Sequence, residues 1–244
     1  MSKNLLLLGA TSDMAVAIAR KFANEGFTVT LAARNLEKLK PIESDIQIRH
    51  HAAVSSVAFD ALNFKSHQAF YDGLQIKPDV AICVFGLLGD QTLAQSDWKS
   101  CEEILGSNYT GAVSILNVIA NDFEKRKSGV IVGISSVAGD RGRQSNYFYG
   151  SAKAGFTAYL SGLRNRLFAS GVHVLTVKPG FVKTKMIENL KTPGPITGTP
   201  EGVALKVYKA VMNKKDVIYV LPIWRWIMLV IKYIPEGIFK KLKL

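Results

Sequence analysis

Tyr149 and Lys153 are four residues apart, a spacing that places two side chains on one face of a helix. A free phenol, with a pKa near ~10, is a poor proton donor to an alkoxide at neutral pH, but a cation on the same face stabilises the phenolate and lowers that value. Tyr149 thereby becomes a usable acid. Ser136, earlier in the chain, carries a hydroxyl that can hydrogen-bond the same oxygen, holding a carbonyl where a hydride arrives while Tyr149 supplies the proton. With eight tyrosines in a lysine-rich chain, one such pair arises by chance about as often as not. The spacing therefore takes its meaning from what surrounds it. None of the other tyrosines has a lysine four residues on.

The surroundings are those of a strand feeding a helix. Val130 to Ile134 is an apolar run of strand length, and Ser135, Ser136 and Gly139 read as the turn where it leaves a sheet. Ser136 then lies at a strand's carboxyl end, the edge of an open α/β sheet where loops diverge and ligands collect. Tyr149 to Ala169 predicts the helix that carries the pair. At the start of the chain, Leu5 to Leu8, the turn Gly9-Ala10-Thr11-Ser12-Asp13-Met14-Ala15 and a helical run through Phe22 predict a strand, a tight turn and a helix. Such a helix presents free N–H groups and a positive dipole end to a pyrophosphate. Further strands are expected at Phe27–Ala33, Val57–Phe59, Asp79–Phe85, Val172–Val177 and Val217–Leu221, with helices at Asn35–Arg49 and Cys101–Phe123.

In this order and spacing, Ser136, Tyr149 and Lys153 resemble the short-chain dehydrogenase/reductase family, whose catalytic set is a Ser after strand five and a Tyr-x-x-x-Lys on the next helix. The resemblance covers nearly the whole chain. It implies an α/β, doubly wound Rossmann fold over residues 1–222, with a mostly parallel seven-stranded sheet and helices on both faces, and an apolar and basic helical extension over 223–244. It also implies an oxidoreductase that interconverts a ketone and a secondary alcohol with a nicotinamide cofactor, and a homo-oligomer. The family places an Asn in the helix after strand four, where it holds a water that relays protons to the Lys. Asn108 matches by position, the plain alternative being a solvated or core-satisfied amide.

For the cofactor, the resemblance points to Gly9, Thr11, Ser12, Asp13 and Met14 in the first turn. The family's G-x-x-x-G-x-G pattern keeps Gly9 here but has Asp13 and Ala15 at its second and third places. A carboxylate near a pyrophosphate is repulsive unless it points away or caps the helix, and capping is expected of Asp13. Arg34 follows the second strand where folds preferring the unphosphorylated cofactor carry an acid, so NADP is favoured over NAD; a surface cation stacking on adenine is the alternative. Asp60, with Ala61, either meets the adenine amino group or caps the next helix. Gly86 is the one match to the family's Asn-Asn-Ala-Gly. Pro179 and Gly180 match its Pro-Gly turn, in which the backbone near Val182 meets the nicotinamide carboxamide and Thr184 helps hold phosphates. Met186 to Thr199, with two prolines and two glycines, stands where the family keeps a substrate lid. A dinucleotide-binding scaffold without turnover is the rival reading, suggested by Asp13 and the missing Asn-Asn-Ala.

Composition narrows the partners. The net charge of +12 attracts phosphates, but the charges are scattered, 48% of the chain is hydrophobic, and no nucleic-acid motif is present. Nucleic acid is not expected. The two cysteines, Cys83 and Cys101, lie in an expected strand and helix without metal-ligand spacing, so reduced thiols, no metal and a cytoplasmic setting are expected. The first residues lack the apolar core and cleavage site of a signal peptide.

From Ile223 the chain reads IWRWIMLVIKYIPEGIFKKLKL. Arg225, Lys232 and Pro235 break it into pieces too short to span a bilayer. Arg225 and Lys232 share a helix face opposite Trp226, Ile227, Val230, Ile231 and Ile234, which suits an interfacial helix at the inner face of a membrane, or burial in a subunit interface or the substrate cleft. This tail, Arg143-Gln144-Ser145-Asn146, residues 85 to 90 and Lys178 to Lys185 resemble the family branch that reduces decaprenylphosphoryl-2-keto-pentose. That likeness implies a lipid-linked, phosphorylated ketosugar as substrate.

Overall fold

The computed structural model describes residues 3–188 and 192–242. Part of the expected lid, residues 189–191, therefore lies outside the described residues. In chain order the elements are β1 (Asn4–Leu8), α1 (Asp13–Asn24), β2 (Thr28–Ala33), α2 (Leu36–His50), β3 (Val54–Ala58), α3 (His67–Asp72), β4 (Val80–Cys83), α4 (Gln91–Ser96), α5 (Trp98–Leu105), α6 (Gly111–Arg126), β5 (Val130–Ile134) and α7 (Tyr147–Leu167). They continue with β6 (His173–Lys178), β7 (Phe181–Val182), β8 (Thr197–Gly198), α8 (Pro200–Met212), β9 (Val217–Tyr219), α9 (Ile223–Tyr233) and α10 (Glu236–Phe239).

Seven strands form one parallel sheet in the order β3-β2-β1-β4-β5-β6-β9, while β7 and β8 make a separate two-residue pair. Because side chains alternate across a strand, β1 sends Leu5 and Leu7 to one core and Leu6 and Leu8 to the other. The first core takes Ile18 and Phe22 of α1 and Val207 of α8; the second takes Ile115 and Phe123 of α6 and Phe156 and Leu160 of α7. All four leucines of β1 are essentially inaccessible, each burial stabilising the fold by about 1.5–3 kcal/mol. The expected doubly wound α/β fold is therefore present, with the third strand starting earlier than expected.

Two features differ from the expected elements. The helix expected over Cys101–Phe123 is interrupted: α5 and α6 are joined by a π-helical turn, Gly106–Thr110, with Asn108 inside it. Asn108 spends its amide on main-chain groups across the turn, and this competition with the regular ladder accompanies the wider turn. In α9 the buried face also differs. Trp224 and Met228 are buried with Ile227 and Ile231 beside them, against Val137, Phe181 and Leu221, whereas Trp226 and Val230 are 64% and 66% exposed. The expected apolar face lay opposite the two cations and held Trp226 and Val230 together with Ile227 and Ile231; packing against the sheet end selected the stripe at 224, 228 and 231 instead.

Arg141 closes the far end of α9. Its Nη1 donates to the carbonyls of Ile231 at 2.6 Å and Ile234 at 2.7 Å, two groups that the end of a helix leaves unpaired. Its guanidinium also stacks 3.5 Å over the Phe239 ring. No helix among the described residues is long and apolar enough to cross a membrane.

Candidate active site

The carboxyl ends of the central strands open onto two adjoining cavities. The first, of about 280 Å³, is lined at the β1–α1 turn by Gly9, Thr11, Ser12, Asp13 and Met14, and across from it by Arg34, Ala61, Gly86 and Thr184. The second, of about 120 Å³, is lined by Ser136 and Tyr149, by Pro179, Gly180 and Val182, and again by Met14 and Thr184. The shared residues join the two spaces. Nearly every residue singled out in the sequence thus meets at one sheet edge, although none is a neighbour of all the rest in the chain.

The β1–α1 turn is shaped by close approach. Gly9 has φ +88°, and a Cβ there would stand 2.6 Å from the Cβ of Phe85 and 2.7 Å from its nitrogen. Only glycine allows both the left-handed backbone and the contact with the end of β4. Ser12, not Asp13, is the N-cap of α1: its Oγ accepts from Ala15 N at 3.2 Å. Asp13 is the first helical residue, and its Oδ2 accepts from Lys185 N at 2.8 Å, which ties the turn to the segment after β7. The expected cap by Asp13 is corrected accordingly; with two good capping residues adjacent, the one outside the first helical position took the role. The N–H groups of Thr11, Asp13 and Met14 have no hydrogen-bond partner among the described residues.

Asp60 lines neither cavity. It sits in a neighbouring depression with Arg34, Ala61 and Gly86, and its Oδ1 accepts from Leu62 N at 3.0 Å. It therefore holds its own turn, and the next helical segment begins after Asn63 instead, so the expected helix cap by Asp60 is absent.

Ser136 caps the short helical turn after β5, its Oγ accepting from Ala138 N at 3.1 Å, which leaves its O–H free to donate. Tyr149 is half-buried on α7 in the same cavity. Burial raises the pKa of its phenol, and a hydrogen bond with Ser136 works in the opposite direction. Lys153, 4% exposed, lies behind it with Nζ 5.7 Å from the centre of the Tyr149 ring, and donates to Ile134 O at 3.1 Å. Burial brings the ammonium down to about 8, with Cys83 acting the other way. The expectation that Lys153 pulls the Tyr149 phenol below its ordinary value is thus not met in this arrangement: desolvation dominates both groups.

Asn108 is buried beneath the β4 end. Its Nδ2 donates to Leu87 O at 2.6 Å and Ile104 O at 2.8 Å, and its Oδ1 accepts from Leu87 N at 3.3 Å. A Cβ on Gly86 would fall 2.6 Å from Asn108 Oδ1 and 3.3 Å from Lys153 Nζ, so the amide and the ammonium converge on this glycine.

Trp224 and Arg143 are among the lining residues that were not singled out as site residues. Trp224 of α9 donates from Nε1 to Ile196 O at 2.9 Å and packs its indole over Gly180, where a Cβ would come within 2.0 Å. Arg143 enters the second cavity from the loop before α7. Sequence spacing carries no signal for either, because both arrive from segments whose position depends on the folded sheet.

Residues 3–193 match the family model described as short chain dehydrogenase. An uncharacterized oxidoreductase of Mycobacterium tuberculosis is 33% identical over 241 residues, covering 98% of this chain and 96% of the relative. A ketoacyl reductase of Nostoc is 31% identical over 219 residues, covering 87% and 76%. Among solved structures, a short-chain dehydrogenase from Sphingobium yanoikuyae in complex with NADPH shares the fold with a TM-score of 0.83 at 20% identity, over 96% of this chain and 97% of that one. With a matching family model over most of its length and a relative aligned end to end, this chain belongs to the short-chain dehydrogenase family.

Proposed function

We propose that this protein is an NADP(H)-dependent oxidoreductase that interconverts a ketone and a secondary alcohol, with NAD(H) as the alternative cofactor. The observation that carries the reading is the convergence of Ser136 and Tyr149 on the smaller, second cavity, with Lys153 behind them, beside the first cavity with its unpaired N–H groups and Arg34. The residues of that first cavity fit a dinucleotide. Thr11, Asp13 and Met14 offer N–H groups at a helix N-terminus, where a pyrophosphate is favoured, and the Asp13 carboxylate is occupied by Lys185 N. When bound, the nicotinamide cofactor supplies or accepts the hydride.

The chain's own residues do the rest. The Ser136 O–H donates to the carbonyl oxygen and fixes its direction, and Tyr149 delivers the proton to that oxygen as it becomes an alkoxide. Lys153, charged below about pH 8, replenishes the proton from the buried side, with the Asn108 amide beside it holding the Leu87 backbone that frames the path. Phe181 and Trp224 exclude water from the reacting side.

Arg34 is exposed at the rim and has no ion-pair partner among the described residues. Pairing it with the 2′-phosphate supports NADP over NAD. Arg34→Ala is expected to weaken NADPH binding about 10- to 100-fold, from the loss of a charge-assisted hydrogen bond, with little change for NADH. Steady-state oxidation of both cofactors with a panel of ketones measures this, and an unchanged NADPH/NADH ratio rejects the assignment.

The finer reading is a lipid-linked or phosphorylated ketosugar, with peripheral contact to a membrane through residues 223–244. It is supported by the exposed Trp226, Val230 and Tyr233 on α9, in a stretch of sequence that also carries Arg225, Lys232, Lys240 and Lys241. Cosedimentation with anionic vesicles is expected for the full chain and lost in Trp226→Asp/Val230→Asp, with no binding to neutral vesicles. Equal recovery of both proteins in the pellet would sink the membrane contact.

A further inference from the structure

Arg143 lines the same cavity as Tyr149 and Ser136, and among the described residues lining it is the one that is charged. Its Nε is shielded from solvent and has no hydrogen-bond partner among the described residues. The nearby acid is Asp140, but both of its oxygens are committed elsewhere: Lys178 Nζ donates to Oδ1 at 2.5 Å and the Tyr219 hydroxyl to Oδ2 at 2.8 Å. Burial pushes the Arg143 guanidinium down from its ordinary value, Asp140 offsetting only part of this.

A partly buried cation whose nearest acid is committed to other donors is held less favourably than a solvated or paired surface charge. Such an arrangement is expected where the missing charge arrives with a ligand, and a guanidinium fork matches the paired oxygens of a carboxylate or phosphate. Asn146, which lines the same cavity, likewise has its Oδ1 buried without a donor among the described residues. Most of the remaining wall is apolar, with Leu88, Val137, Phe181 and Trp224. The cavity is small, about 120 Å³, and Tyr149 and Arg143 both line it.

We propose that Arg143 determines substrate specificity by pairing with an anionic group, carboxylate or phosphate, carried on the carbonyl substrate close to the carbon that is reduced. This deepens the ketone-reductase reading, and rests on it for the position of the carbonyl at Ser136 and Tyr149. The test is made by binding, without turnover. The full chain is saturated with NADP+, which occupies the cavity at Arg34 and cannot reduce a ketone, and is titrated calorimetrically with two matched pairs: acetoacetate against methyl acetoacetate, and dihydroxyacetone phosphate against dihydroxyacetone.

The anionic member of at least one pair is expected to bind about 10- to 100-fold tighter, as a charge-assisted pair would give, and the pair that shows it separates carboxylate from phosphate. Arg143→Met is expected to erase the preference while binding NADP+ as before, and Arg143→Lys to keep part of it. Absence of a preference in the wild type overturns the proposal. So does a preference that survives Arg143→Met, or an equal loss for charged and neutral members, which would make Arg143 structural. Should Arg143→Met fail to bind NADP+, Arg143→Gln and Arg143→Lys provide the comparison. Failure of the hydride-transfer reading shows separately, as wild-type protein that binds the anionic ligand with NADP+ yet oxidises NADPH with no ketone.

Discussion

Tyr149→Phe is expected to lower turnover with any ketone substrate by about 10²–10⁴-fold, the range a positioned general acid contributes, and to leave NADPH affinity near that of the wild type. The ring stays where it is. Tyr149 packs beside Ala94, Cys101 and Ile104, contacts that phenylalanine reproduces, so the variant loses a hydroxyl and its hydrogen bond with Ser136 without opening a cavity. Burial holds the Tyr149 phenol above its ordinary value, which makes it a proton donor that remains protonated through neutral pH. Direct fluorescence titration with NADPH, alongside single-turnover kinetics, separates binding from chemistry. Turnover within a few-fold of the wild type would remove Tyr149 from the mechanism and leave Ser136 and Lys153 without an acid to serve.

Lys153→Met has the second large effect, and its two consequences point in opposite directions. An ammonium with an ordinary pKa of 10.5 that is held at about 8 by burial is charged near neutral pH at a cost of about 3 kcal/mol to the folded state. Its hydrogen bond to Ile134 O returns about 1 kcal/mol, so methionine should stabilise the cofactor-free protein by about 1–2 kcal/mol near neutral pH. The pH dependence carries a definite sign. Below about pH 8 the lysine is protonated folded and unfolded alike; between about 8 and 10.5 the unfolded chain binds more protons, so wild-type stability rises with pH across that window. The variant should lack this rise. Urea denaturation of both proteins near neutral pH and at about pH 10 measures the difference, and a variant less stable near neutral pH would contradict a desolvated ammonium. Turnover is expected to fall together with that of Tyr149→Phe, because the proton on Tyr149 has no cationic source behind it. In the wild type the same titration predicts that activity declines as pH rises past about 8.

Much of this arrangement was readable in advance because it is written in local spacing. The apolar runs at Leu5–Leu8 and Val130–Ile134 could only be buried strands in a sheet covered on both faces, and both appear within a residue of the expected bounds. The pair at 149 and 153 needed nothing beyond helical geometry to share a face. Boundaries were less well determined. The third strand was expected from Val57, where apolar residues begin, yet it starts at Val54 because Ser55 and Ser56 pair with Thr30 and Leu31 of β2, and a main-chain ladder does not require apolar side chains.

The site residues that were misassigned share one cause. Ser12 and Asp13 are both good capping residues, and composition does not rank them; Ser12 took the cap, while Asp13 met the nitrogen of Lys185, a residue far along the chain. The apolar side of α9 was chosen by its docking on Val137 and Phe181 rather than by the spacing of Arg225 and Lys232. The pKa of Tyr149 was expected to follow its cationic neighbour, and instead followed burial.

Taken by itself, the order of residues determined the strands, the helices and the sharing of one sheet edge by Ser136, Tyr149 and Lys153, since these depend on repeat distances of 2 and about 3.6 residues that any stretch of backbone imposes on its own neighbours. Only the folded molecule decided that Asp140 is spent on Lys178 and Tyr219, that the Arg143 Nε is left without a partner among the described residues in the cavity that Ser136 and Tyr149 line, and that Trp224 walls that cavity. Those outcomes turn on desolvation and on partners supplied by distant segments, and neither quantity exists until the chain has closed around the site.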